Sequence, residues 1–215
     1  MTTDPNPTDA LLGRAAEGDD AALAALFHHY RKRLRQMVRL RLDRRLQGRV
    51  DPSDVLQEAY LDLTQQFPSY LERREAMPFF LWLRLLTGQR LMRIHRQHLG
   101  AAMRDAGREV SLHRGAMPQA TSESLAARLL GRLTSASEAA VRAERQLKLQ
   151  QALNGMDPID REIIALRHFE ELSNSEVAQV LDLSKAAASN RYVRAMTRLQ
   201  SILERMPGLL GRPEG

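Results

Sequence analysis

A chain of 215 residues, 43% hydrophobic and 27% charged, has room for one large domain or two small ones. Its 5% aromatic content and its many Ala, Leu, Arg and Gln residues favour helices over strands, and the absence of cysteine excludes disulfides and thiolate metal sites. A net charge of +6 and a pI of about 10.3 suggest a polyanionic partner, with solubility alone as the plainer reading, and no run is apolar for long enough to cross a bilayer.

The opening "MTTDPNPTDA" is acidic and Pro-rich, so it does not read as a secretion signal, and a cytoplasmic location is expected. Residues 9–48 read as helix, because Leu23, Leu26, Phe27, Tyr30, Leu34, Met37 and Val38 recur at steps of three and four. Within them "RKRLRQMVRLRLDRRLQGR" (31–49) is densely basic, whereas "DPSDVLQE" (51–58) has no basic residue. Gly48 is a stop, and Asp51-Pro52 restarts a helix: an Asp cap, then Pro where a missing N–H is harmless. That helix is expected to reach about Gln66. After a connection over 67–77, a third helix runs from Pro78 to about His98.

Residues 100–137 lose the period and gain Gly, Pro, Ser and Thr, so they read as a linker with a short helix possible over 125–133. Order resumes near Ala139, and Asp157-Pro158 repeats the earlier helix start. The expected fold is all-α: two small helical domains, 9–99 and 138–206, joined by a flexible linker over 100–137.

In "SNSEVAQVLDLSKAAASNRYVRAM" (173–196), Ser173 and Glu176 form a capping box, Asp182-Leu183 interrupts, and Ser184 caps a second helix. Two helices around so tight a corner make a helix-turn-helix. On a wheel of the second helix, Ala188, Tyr192, Ala195, Leu199 and Leu203 share the buried face. Ala186, Ala187, Asn190, Arg194, Thr197 and Ser201 lie opposite, with Arg191 and Arg198 on the flank. That split suits a recognition helix: small residues enter the major groove, Asn190 meets an adenine edge, and long cations reach phosphates. A surface helix with ordinary solvated arginines is the plainer alternative.

The span 152–199 resembles region 4 of bacterial sigma-70-family factors, which reads the −35 promoter element. "DPSDVLQEAYLDL" (51–63) is similar to the region 2 segment that docks on the β′ clamp helices of RNA polymerase, and "PFFLWLRLLTGQRLMRIHRQH" (78–98) to regions 2.3–2.4, which open and read the −10 element. Region 2, linker, region 4 in that order resembles the extracytoplasmic-function group. The resemblance implies a sigma factor that binds core polymerase at the β′ clamp helices and the β flap, and directs initiation at promoter DNA, both duplex and melted. It also leaves a place for an anti-sigma factor.

The residues expected to carry these roles follow. On the Asp51-capped helix, Asp54, Gln57, Glu58, Leu61 and Gln65 share one stripe opposite Leu56, Ala59, Tyr60, Leu63 and Phe67. A stripe of carboxylates and amides around one Leu repels DNA and suits a basic helical partner. By itself the stripe also fits a solvated acidic face; the resemblance implies docking through Asp54, Gln57, Glu58 and Leu61. For the −10 strand the expectation is Tyr70, Arg73, Arg74, Arg84, Arg90 and Arg93, with Phe79, Phe80 and Trp82 weighed as base-stacking groups against a core role. For the −35 duplex it is Ala187, Asn190, Arg191, Arg194 and Arg198. The family commonly has Gly at the corner occupied here by Asp182, and Asn and Asp at the positions of Gln89 and Arg93. A linker of about 38 residues reaches roughly 35 Å on average, enough to span elements one to two duplex turns apart.

No enzymatic role, cofactor or metal is expected. His95 and His98 share a helix face, but Arg93 and Arg96 repel a cation there, and there is no phosphate-binding glycine loop or nucleophile motif. A helix-turn-helix regulator without polymerase docking is the second reading of the sequence.

Overall fold

The computed structural model describes residues 7–99, 117–133 and 139–206, and every regular element among them is helical. The chain divides into two compact units, Met1–Pro118 and Gln119–Gly215. Each is considered separately.

In the first unit, α1 (Pro7–Ala16) packs on α2 (Asp20–Arg41), and α2, α3 (Pro52–Leu71) and α4 (Phe79–Leu99) pack on one another. The continuous helix expected over 9–48 is corrected: it is two helices and a 3-10 turn. Gly18 adopts φ +93°, open to glycine, and Asp19 caps α2 by accepting the Ala22 N–H at 3.0 Å. Arg14 grips the same carboxylate, 2.6 Å from its second oxygen. At the far end Asp43 caps the turn Arg44–Leu46. Asp51 caps α3 as expected, accepting the Ser53 N–H at 2.6 Å with Pro52 in the first turn.

α3 outruns its expected end at Gln66 and carries Pro68 inside it. Burial explains the extension. Phe67 and Tyr70 are 6% and 4% exposed, and their rings join Phe79 and Trp82, with Tyr70 stacked on Trp82 at 4.6 Å between centroids. Burying two aromatics in this cluster outweighs one lost helical hydrogen bond. The core below holds Leu26, Leu34, Met37, Leu56, Leu63, Leu83 and Leu91, each at most 1% exposed. His95 is also inside; its Nε2 accepts the Asp43 N–H at 3.3 Å, and burial holds the imidazole below its usual pKa.

In the second unit, α5 (Ser122–Leu133) packs along α6 (Ala139–Asn154), with Leu125, Ala126, Leu130, Leu149 and Leu153 fully buried. α5 lies inside the span read as a linker and begins three residues before the short helix expected there, so part of that span belongs to a packed unit. Residues 100–116 and 134–138 of the span, His113 included, lie outside the described residues. Asp157 caps α7 (Pro158–Ile164), which runs on through a wider π turn, Ala165–Phe169. The capping box is formed in full before α8 (Asn174–Leu181): Ser173 Oγ accepts the Glu176 N–H at 3.2 Å, and Glu176 Oε2 accepts the Ser173 N–H at 2.7 Å. Ser184 then caps α9 (Lys185–Glu204).

The corner between α8 and α9 is made by Asp182 at φ 53°, ψ 51°, the left-handed conformation that glycine takes without strain. Replacing Asp182 with Gly therefore relieves the Cβ clash, and the Asp182→Gly variant should gain about 0.5–1 kcal/mol in a urea unfolding series.

Candidate polymerase-docking and DNA-binding surfaces

Asp54, Gln57 and Glu58 are exposed on α3, and Leu61, 58% exposed, stands among them. The opposite stripe, Leu56, Ala59, Leu63 and Phe67, is buried. Between α2 and α3 a groove of about 350 Å³ runs beside this ridge, lined by Phe27, Arg31, Ser53, Leu56, Gln57, Tyr60 and Leu61. The ridge thus offers acid, amide and apolar groups together, the mixture that a basic helical surface complements.

Behind the ridge lies a residue that sequence reasoning missed. Asp62 is 5% exposed and accepts hydrogen bonds from Arg90 Nε (2.9 Å), Arg90 Nη2 (2.5 Å) and Arg93 Nη2 (3.0 Å). Arg90 Nη1 turns the other way, to Glu58 Oε2 at 2.8 Å. One arginine of α4 therefore bridges a buried and an exposed carboxylate of α3, and these bonds hold its guanidinium above its usual pKa. The signal lay in the spacing: Asp62 follows Glu58 by four residues, and Arg93 follows Arg90 by three, so each pair shares a helix face.

The residues expected at the −10 strand divide. Arg73 and Arg74 are exposed in the turn after α3, and the Arg93 side chain is 41% exposed beside Asp62. Tyr70 is corrected: it is buried, stacked on Trp82, its hydroxyl 3.4 Å from the Met77 carbonyl, and burial raises its pKa. Arg84 is corrected too. At 5% exposed it is inside, because the first half of α4 is buried around most of its circumference. Arg90 is four-fifths covered and committed to Asp62 and Glu58. Phe79 and Phe80 are core, and Trp82 is half-buried against Tyr70.

On α9, Ala188, Ala195, Leu199 and Ile202 are buried. Asn190, Arg194 and Arg198 are exposed on the other side, and Ala187 is half-buried near its start. Asn190 and Arg194 have no hydrogen-bond or ion-pair partner among the described residues, and with Ala187, Arg191 and Val193 they line a shallow hollow. Arg191 is the correction here: it turns to the acidic start of α7, 2.8 Å from Asp160 and 3.6 Å from Asp157, and so fixes α9 against α7. Tyr192 does similar work, bonding His168 at 3.1 Å beneath the Arg167 guanidinium.

Residues 146–199, a stretch from α6 into α9, match the family model described as Sigma-70, region 4. The chain is also 27% identical over 207 residues to the RNA polymerase sigma factor NccH of Alcaligenes xylosoxydans xylosoxydans, covering 94% of this chain and 97% of that one. The chain therefore carries a sigma-70 region 4 and, along nearly its whole length, is similar to an RNA polymerase sigma factor. Its fold is similar to that of CnrH, solved in complex with the cytosolic domain of CnrY, at a TM-score of 0.53 and 20% identity over 93% of this chain and 98% of that one. The function is accordingly that of an RNA polymerase sigma factor, and the all-α expectation stands. A regulator built only to bind DNA loses its support, since the likeness to a sigma factor extends through the first unit as well as the helix-turn-helix. Among the described residues no helix is long and apolar enough to cross a membrane.

Proposed function

We propose that the sigma factor divides its work between its two units. The exposed ridge Asp54, Gln57, Glu58 and Leu61 docks on the β′ clamp helices of core polymerase. The turn carrying Arg73 and Arg74, and Arg93 further along α4, meet the backbone of the melted −10 strand. Helix α9 enters the −35 major groove, with Ala187 and Asn190 at the bases and Arg194 and Arg198 at the phosphates, and the second unit also meets the β flap. The first unit is then the polymerase and −10 module, and the second unit, α5 included, is the −35 module. The polymerase supplies all the chemistry in a cytoplasmic complex; the chain itself is no enzyme and holds no cofactor. An anti-sigma factor is a further partner, by analogy with the CnrH–CnrY complex.

The observation that carries this reading is the segregation of exposed polar groups: an acid-and-amide ridge on α3, and on α9 an Asn190 and Arg194 without partners among the described residues. Arg194→Ala tests the DNA half. Its affinity for a promoter fragment should fall, and the slope of log affinity against log salt should drop by about one, the mark of one lost phosphate contact. An unchanged slope would remove Arg194 from the interface.

A further inference from the structure

Val193 stands out on α9. It is 58% exposed, a β-branched apolar side chain nearly opposite the buried Ala188, Ala195, Leu199 and Ile202. Packing does not explain it, because it faces away from the unit's core. Its neighbours on the outward face are Asn190, one turn earlier, and Thr197, one turn later. Thr197 Oγ1 donates to the Val193 carbonyl at 3.1 Å, so its hydroxyl is occupied by the backbone and its methyl is left to the surface. Val193 therefore sits in an apolar spot beside the Asn190 amide and the Arg194 guanidinium, neither of which has a partner among the described residues, in the hollow already described.

We propose that Val193 is a base-selecting residue of the recognition helix, packing on the 5-methyl group of a thymine in the −35 element. The proposal rests on the reading of α9 as the −35 reader. In the major groove thymine alone presents a methyl group; guanine presents two acceptors there and cytosine an amine. An isopropyl group gains by covering the methyl. Against guanine or cytosine it buries polar groups and offers them no hydrogen bond, so it selects by rejection as well as by attraction. Asn190, one turn away, is placed to take an adenine nearby, so the pair together favours an A·T-containing step.

The test uses the full chain with core polymerase and duplexes enriched from a random −35 pool. Each enriched thymine is then replaced by deoxyuridine, which lacks only the methyl. At one position the wild-type chain should bind about fourfold more weakly, the worth of one buried methyl, and Val193→Ala should bind both duplexes alike. Val193→Ala should unfold at the wild-type temperature, since the side chain is exposed. Indifference of the wild type to uracil at every enriched position, or undiminished uracil sensitivity in Val193→Ala, overturns the proposal while leaving the −35 reading intact. Enrichment of no duplex sequence at all overturns both.

Discussion

Glu58→Lys combined with Gln57→Ala will weaken binding to core RNA polymerase at least thirtyfold, with the helical fold retained. The size follows from where the two side chains stand. Both are exposed on the ridge, so neither holds the core together. In the docking proposed above, the Glu58 carboxylate would face a basic surface, and reversing its sign would replace attraction with repulsion in a partly dehydrated interface. Such changes amount to about 2–5 kcal/mol, or thirtyfold and upward. Glu58 also pairs with Arg90, so a lysine at position 58 would confront that guanidinium. Glu58→Gln separates the two effects, since it removes the charge without setting a cation against Arg90. It should lose affinity by a smaller factor with unchanged thermal unfolding. Fluorescence anisotropy of labelled chain against core polymerase reads the affinity, and circular dichroism reads the fold. Wild-type affinity in the double variant would remove the ridge from the interface.

Asp62→Ala should destabilise the first unit by about 2 kcal/mol. Removing one partner of a buried ion pair typically costs 3–5 kcal/mol, because the partner's charge is stranded. The lower figure applies here because the Arg93 side chain is 41% exposed and that of Arg90 20%, so water takes up part of the loss. Asp62→Asn keeps an acceptor and should lose less. Urea midpoints of the two variants check the order. An Asp62→Ala midpoint equal to wild type would mean that the three hydrogen bonds to Asp62 contribute nothing net.

What was legible in the sequence was local. Asp51-Pro52, Asp157-Pro158, Ser173 with Glu176, and Ser184 each act within one helical turn, and each caps a helix where the sequence placed it. The outward stripe of α3 was legible for the same reason, since its period belongs to the helix alone. Features that depend on other elements were not. The apolar recurrence that signals the helix begins at Leu23, so it did not bear on the break that Gly18 and the Asp19 cap make between α1 and α2. Pro68 read as an end because nothing local showed that Phe67 and Tyr70 would be buried against α4. Arg84 and Arg191 look like their exposed neighbours in sequence; the packing of α4 and the acidic start of α7 decide where they point. Asp62 escaped notice because its partners lie about thirty residues away on another helix.

The most direct test of the division of labour is a crossed pair of measurements in one reconstituted system. The ridge variant (Gln57→Ala, Glu58→Lys) and the recognition-helix variant (Asn190→Ala, Arg194→Ala) are each assayed for core polymerase binding, for binding to duplex bearing the −35 element, and for promoter-specific transcripts. The account predicts that both lose transcripts for opposite reasons: the first loses core binding and keeps −35 duplex binding, and the second does the reverse. A ridge variant that still binds core and still yields promoter-specific transcripts would contradict it.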